Sequence, residues 1–213
     1  MKERTKNILP QKTVERLSKY RRILNKYRNL EEPHIFSHDL ARMLNITPEQ
    51  VRRDIMLIGF TGNHRKGYNV KELVDLIGKK IDKEDGLNIA LIGIGNLGRA
   101  VTSYISKAET KLNIVAAFDT DPNKIGTKTA GVTCHGLADI EKIVEKHHIE
   151  IAVLTVPPEF ARQVADILVE SGIKGILNFT SIHIDVSSNV YIKDYDIITS
   201  LEEIGFFVSN NKS

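Results

Sequence analysis

The sequence predicts an α/β chain in two parts. A small basic head of helices with a β-hairpin precedes a body built as a doubly wound parallel sheet, and one apolar C-terminal helix closes the chain. Three observations predict it. Charge divides along the chain: residues 1–80 hold eighteen Lys and Arg against nine Asp and Glu, residues 81–213 hold twelve against eighteen, so a whole-chain charge of +3 conceals +9 on the head and −6 on the body. Apolar residues recur at helical spacing before residue 81 and in alternating strand and helix patterns after residue 87. Gly93-Ile94-Gly95-Asn96-Leu97-Gly98 stands between a strand-like and a helix-like run. A chain of 213 residues has room for one or two domains, and 41% apolar with 27% charged residues excludes disordered and collagen-like classes. The single Cys excludes an internal disulfide framework. The charged N-terminus lacks a signal-peptide stretch, and no window approaches 18 apolar residues, so a soluble cytoplasmic protein with no membrane partner is expected.

In the head, residues 13–30 carry Val14, Leu17, Tyr20, Ile23 or Leu24, and Tyr27 at three- and four-residue spacing, with Pro33 beyond the end. Ser37 caps a short helix, HDLARML, with Leu40, Met43 and Leu44 inward. Thr47-Pro48-Glu49-Gln50 then reads as a capping box with proline at the first helical position, opening a third helix whose buried stripe is Val51, Ile55 and Ile58. The tight turn Asn45-Ile46-Thr47 makes helices two and three a helix-turn-helix, about 20–59. FTGNHRKGYNV, with Gly62 and Gly67 around a basic tip, reads as a two-stranded wing over about 60–70, and 70–80 as a fourth helix. Residues 1–80 are thus a winged-helix domain and the charged 81–86 a linker. A basic head favours a polyanion. Gln50 and Arg53 can reach base edges, Gln to adenine and Arg to guanine, with Arg52 beside them. His64, Arg65, Lys66 and Tyr68 on the wing can follow the minor groove or the phosphates. The plainer alternative is a helical bundle with a solvated basic face.

In the body, 87–198, strands are expected at LNIALIG, LNIVAAFD, IEIAVLTV and IKGILNF, the last ending near Phe179, with helices at 96–108, about 137–147 and 159–171. That alternation means βαβ units and a Rossmann-type sheet. In Gly93-x-Gly95-x-x-Gly98 the first glycine makes the tight turn, the second lets backbone approach a pyrophosphate, and the third lets the helix pack on the strand. Ile94, Asn96 and Leu97 complete the loop. Asp119, 21 residues after Gly98 at the end of the second strand, can accept both ribose hydroxyls and repel a 2′-phosphate, which favours NAD(H). Alternatives are a ligand-free glycine turn and a coenzyme A site in a similar fold. Thr155, Val156, Pro157 and Asn178, at two strand ends, are placed to border the nicotinamide half; ordinary strand-end turn chemistry is an equal reading. Cys134 reads as a small buried hydrophobe rather than a redox thiol. His147 and His148 point apart on a helix and make a poor metal pair, so no metal site is expected. His183 lacks an evident supporting acid. In the C-terminal helix, 199–213, Ser200-Leu201-Glu202-Glu203 reads as a capping box, and Leu201, Ile204, Phe207 and Val208 form an apolar stripe beside Phe206. A partner subunit, through docking or a domain swap, is expected to cover it; packing on its own sheet is the alternative.

A winged helix followed by a Rossmann domain resembles the Rex family of redox-sensing transcriptional repressors. The resemblance runs through RLSKYRRIL, TPEQVRRDIMLIG, KGYNV, IALIGIGNLGRA, AFDTDPNKIG, AVLTVPP and IKGILNF, and covers roughly residues 10–209. It implies a homodimer that binds operator DNA, palindromic to match its two-fold axis, and lets go when NADH replaces NAD+, at genes of NADH disposal. It also implies that Lys124 joins Asp119 at the adenosine ribose, that Tyr104 senses the nicotinamide side, and that Arg22 and Asp196 form a pair linking the DNA domain to the partner subunit. The sequence departs from the family pattern at Leu57 or Ile58, in the wing, and at Ile197, where some members carry aromatics or more glycine. The main rival is an NAD-dependent dehydrogenase with a basic extension. Only 34 residues, 180–213, follow the last expected strand, which leaves little room for a substrate domain, and no paired acid and base is evident at the strand ends, so no enzyme is expected.

Overall fold

The structure, a computed structural model, describes residues 9–31, 33–63, 65–108, 110–186 and 189–210. The chain splits into two compact units, Met1–Glu84 and Asp85–Ser213.

The first unit contains α1 (Gln11–Asn25), β1 (His34–Ile35), α2 (Ser37–Leu44), α3 (Pro48–Leu57), β2 (Tyr68–Asn69) and α4 (Val70–Ile81). Leu17, Tyr20 and Leu24 of α1 pack with Leu40 of α2, Ile55 of α3 and Leu73 of α4 in one core. α1 is shorter than the expected 13–30, and its inner face begins at Thr13; Val14 and Tyr27, expected inward, stay exposed. At the first turn the Thr13 hydroxyl turns in toward the buried carboxylate of Asp54 at 3.4 Å in place of Val14, and Tyr27 lies beyond the helix end at Asn25. Ser37 is not a cap. Phe36 holds that position, and Ser37 Oγ instead accepts from Arg52 Nη1 at 3.1 Å. Ala41 rather than Met43 faces inward, because the buried stripe continues from Leu40 and leaves Met43 in solvent. Asn45, in the left-handed conformation at φ 52°, makes the turn between α2 and α3, a conformation that asparagine tolerates. Thr47 Oγ1 accepts from the Gln50 N–H at 3.2 Å, with Pro48 at the first helical position.

The wing differs from the expected two-stranded hairpin. β2 pairs antiparallel with β1, which precedes α2, in the register His34↔Asn69 and Ile35↔Tyr68. Among the described residues, the Asn63–Gly67 bridge is the pairing that closes the tip. Gly67, at φ 82°, lies so close to β1 that a Cβ there would stand 2.5 Å from the Ile35 oxygen. Asn63 Oδ1 accepts from the N–H groups of Arg65 and Lys66, so turn chemistry consumes the tip and strand pairing passes to β1.

The second unit runs β3 (Leu87–Ile92), α5 (Asn96–Ser106), β4 (Leu112–Asp119), β5 (Lys128–Thr129), β6 (Val132–Gly136), a 3-10 turn (Leu137–Asp139), α6 (Ile140–Lys146), β7 (Ile149–Leu154), α7 (Pro158–Glu170), β8 (Gly175–Asn178), β9 (Tyr191–Asp194) and α8 (Ile197–Asn210). Among the described residues the strands form one sheet of order β5-β6-β4-β3-β7-β8-β9, parallel except for β5 against β6. Strand alternation serves both faces: Ala90 and Ile92 of β3 enter a core with α6 and α7, while Ile89 and Leu91 pack on the opposite face. The chain leaves β3 to build β4 on one side and β7 on the other. The strand ends between β3 and β7 are therefore the crevice where such sheets take ligands.

Two expectations about this unit are corrected. The sheet does not end near Phe179, because β9 adds a parallel strand beyond β8. Its sequence, YIKD, carries no apolar run that would mark it. The C-terminal helix does not start at a Ser200 cap. Asp196 caps it, accepting from the Ile198 N–H at 2.9 Å and the Thr199 hydroxyl at 2.7 Å, and Ser200 lies within the first turn. No residue of α8 is buried, so its apolar face is not packed on its own sheet. Among the described residues no helix is long and apolar enough to cross a membrane.

Candidate dinucleotide and nucleic-acid sites

The glycine loop after β3 shows three different uses of a missing side chain. Gly93 adopts φ 91°, and a Cβ there would lie 2.9 Å from the Thr155 oxygen. Its N–H donates to Phe118 O at 2.8 Å, and the Thr155 hydroxyl lies 2.8 Å from its oxygen, which sews the loop to both neighbouring strands. A Cβ on Gly98 would strike the Gly93 carbonyl, so this glycine lets α5 close onto the loop. A Cβ on Gly95 would meet nothing within 4 Å. The fold itself does not need glycine there; a ligand approaching the backbone does. Gly95 lines a cavity of about 780 Å³ and is the N-cap residue of α5, with no side chain accepting from the first turn. Those orphan N–H groups and the helix dipole suit a pyrophosphate.

Asp119 ends β4 on the wall of the same cavity, with Lys124 beside it. One carboxylate oxygen accepts from the Ile94 N–H at 2.8 Å and Lys124 Nζ at 2.9 Å, the other from the Asp121 N–H at 2.9 Å. Burial alone would push this carboxyl up, but the Asp121 N–H, the Lys124 ammonium and the Ile94 N–H outweigh it and hold the group below its ordinary value. It is an anion fixed in place at the strand end, the chemistry a ribose diol requires. Thr155, Val156 and Pro157 line the cavity too.

Other expected residues stand elsewhere. Ile94 is buried and contributes its N–H to Asp119, Asn96 accepts from Arg99 Nη2 at 2.7 Å, and Leu97 is exposed. Asn178 is fully buried and holds the β8 end together: its Nδ2 donates to Ile182 O at 2.9 Å and Asp194 Oδ1 at 2.8 Å, and its Oδ1 accepts from the Thr180 N–H at 2.9 Å. It does not line the cavity. The expectation that His183 lacks a supporting acid, and that the strand ends hold no acid–base pair, is corrected. β9 brings Asp194 Oδ2 to 2.9 Å from His183 Nδ1. That pair is exposed and lies outside the cavity. Sequence reasoning missed Phe160, Gln163 and Ile167 of α7, which wall the cavity at spacings of three and four; that helical period was the available signal. Cys134 is buried, and burial, reinforced by the charge of Asp119, pushes its thiol up. Among the described residues no group of three His, Cys, Asp or Glu could hold a metal.

In the head, α3 turns Glu49, Arg52, Arg53, Met56 and Leu57 outward. Beneath it lies a charged anchor. Asp54, fully buried, accepts from Arg16 Nε at 2.6 Å and Nη2 at 2.7 Å, from the Tyr20 hydroxyl at 2.8 Å and from Gln50 Nε2 at 3.0 Å. Burial opposes the charge of Asp54, but Arg16 and Tyr20 prevail and hold its carboxyl below the ordinary value, while burial raises the Tyr20 hydroxyl. Gln50 and Arg52 are therefore occupied, the first by Asp54 and the second by Glu49 at 2.5 Å and Ser37. Arg53 is exposed, and none of the described residues hydrogen-bonds or ion-pairs with its side chain. Arg65 and Lys66 are exposed at the wing tip; Tyr68 is half-buried against Phe60, and His64 lies outside the described residues. A concavity of about 400 Å³ separates α3 from the wing. Arg22 is exposed on α1, as are Tyr104 on α5 and Asp196 at the start of α8.

Residues 8–55 match the family described as "Putative DNA-binding protein N-terminus", and residues 82–182 the one described as "CoA binding domain". The chain is 36% identical over 210 residues to the redox-sensing transcriptional repressor Rex of Listeria welshimeri, covering 99% of this chain and 97% of that one. It is 34% identical to the same-named protein of Exiguobacterium sibiricum over 202 residues, 95% and 92% of the two chains. Among solved structures it is similar to RSP, a Rex-family repressor, in complex with β-NAD+ and operator DNA, with a TM-score of 0.87 at 29% identity over 97% of this chain and 95% of that one. The complex of RSP with β-NADH is similar with a TM-score of 0.84, again at 29% identity, over 97% of both chains.

Proposed function

The chain belongs to the Rex family of redox-sensing transcriptional repressors, and from that premise we propose that it is a cytoplasmic homodimer which binds operator DNA when NADH is low and releases it when NADH binds. The observation that carries this reading is the pairing of two sites in one chain: a dinucleotide cradle open at Gly95 with an anion fixed at Asp119, and a basic helix-turn-helix with Arg53 exposed and unengaged by any described residue. The family is one of repressors rather than enzymes, so the dehydrogenase reading is set aside.

The cavity residues divide the dinucleotide between them. The first turn of α5 meets the pyrophosphate, Asp119 with Lys124 the adenosine ribose, and Thr155, Val156 and Pro157 the nicotinamide side. NAD+ and NADH differ at one ring, planar and cationic in one, neutral in the other. A switch follows only if one arrangement of the dimer binds one form better. Arg22, Tyr104 and Asp196 serve as the coupling set between cofactor, partner subunit and head. DNA needs both recognition helices in successive major-groove faces, about 34–36 Å apart. NADH favours an arrangement that misplaces them.

The test is binding to a palindromic duplex pool at fixed salt with NADH and NAD+ varied. Equal operator affinity under saturating NADH and NAD+ would sink the reading. A second reading, a coenzyme A-binding regulator, is favoured by the family match at residues 82–182. Displacement of bound NADH by coenzyme A at comparable concentration would support it; displacement by NAD+ alone would exclude it.

A further inference from the structure

The recognition helix carries little free polar chemistry and much free apolar surface. Gln50 is held by Asp54, and Arg52 by Glu49 and Ser37, which leaves Arg53 as the reader that no described residue engages. Met56, by contrast, is 70% exposed and Leu57 51%. Met56 follows Arg53 by three residues and Arg52 by four, so all three share one side of α3. The Met56 side chain also borders the concavity between α3 and the wing, walled by Phe60 and Tyr68. An apolar chain displayed beside Arg52 and Arg53 on a basic head faces a polyanion that itself offers one apolar feature in its major groove, the C5-methyl of thymine. A methionine, unbranched and polarisable, can shape itself to that group.

We propose that Met56 is a base-reading residue, packing its thioether chain against the thymine C5-methyl at one position of each operator half-site, beside the base met by Arg53. This rests on the reading of the head as an operator-binding domain. Met56 therefore adds to the sequence preference of this repressor without making a hydrogen bond, and Leu57 flanks the same contact.

The test uses the full-length protein and an operator duplex selected from the palindromic pool. Each thymine is replaced in turn by uracil, which removes only the methyl group, and affinity is read by fluorescence anisotropy at fixed salt. At one symmetric position the loss should be about fourfold per half-site and about 15-fold with both replaced, since burying one methyl-sized group is worth about 0.8 kcal/mol. Met56→Ala should bind the thymine and uracil duplexes alike, and Met56→Leu should keep the difference. Truncating so exposed a side chain leaves the core intact. The proposal is overturned if every uracil duplex binds like its parent, or if Met56→Ala retains the full difference. Specific binding with no methyl effect would overturn this inference alone, whereas no specific duplex at all would overturn the operator-binding reading with it.

Discussion

A methyl group added at Gly95 would enter open space, and one added at Gly98 would strike the Gly93 carbonyl. The same substitution chemistry should therefore split into two phenotypes. Gly95→Ala should melt within a few degrees of the parent yet bind NADH about 30-fold more weakly, the effect of roughly 2 kcal/mol of steric conflict with the ligand. Gly98→Ala should lower the melting temperature by several degrees, since overpacking costs about 1–3 kcal/mol. Thermal melts and a fluorescence titration of NADH separate them. Asp54 carries a different residue-level consequence. Its carboxyl is held below the ordinary value near 4, so the folded state favours the anion. Such a group contributes stability above its unfolded value and loses it as pH falls through the folded one. The head should accordingly melt earlier with acid below about pH 4. Asp54→Asn should flatten that acid limb and cost about 3 kcal/mol at neutral pH, because Arg16 then loses its anion. Melting curves between neutral and acid pH check both.

Among the elements, α8 has the most to answer for. Its side chains Leu201, Ile204, Phe207 and Val208 are all exposed, an apolar face that its own sheet does not cover. In the homodimer proposed here the partner subunit covers it. Phe207→Glu should then shift the protein to monomer by sedimentation and abolish operator binding at concentrations where the parent binds, because one head alone cannot span two half-sites. The elements legible in the sequence were those with strong periodicity or punctuation. The strands β3, β4, β7 and β8, the Gly93–Gly98 loop and the Thr47-Pro48 start of α3 each bury apolar residues or meet a backbone demand that leaves a mark. β5, β6 and β9 left none, since KT, VTCHG and YIKD hold too little apolar pattern and depend on neighbours distant in sequence. That loss had a cost at the sites: without β9, Asp194 could not be placed on His183 or Asn178. The engagement of Gln50 by Asp54 was equally hidden, because a buried aspartate on an amphipathic helix looks like an exposed one until Arg16 is known to reach it.

At the scale of the whole molecule, +9 sits on the head and −6 on the body, which confines attraction for DNA to the unit that carries α3. The dinucleotide must then act on DNA through a shared equilibrium rather than by direct charge contact. That requirement is quantitative. If NADH lowers operator affinity by some factor, operator DNA must lower NADH affinity by the same factor, since both legs close one thermodynamic cycle. Couplings of this kind are typically about 5–150-fold. We expect a value in that range for NADH, measured twice: once as operator affinity with and without saturating NADH, once as NADH affinity with and without saturating operator. Salt must be held constant, since each neutralised phosphate contributes a log-log slope of about −0.9 and would otherwise counterfeit a ligand effect. Asp119→Ala should need far more NADH to reach the same release, because it weakens the ligand in both arrangements while leaving the difference between them intact. Tyr104→Phe should do the reverse, keeping NADH affinity near the parent value and shrinking the coupling factor, if that side chain senses the nicotinamide. A factor of one on both legs, at one salt concentration and with the dimer intact, would mean that NADH binding and operator binding are not coupled in this dimer.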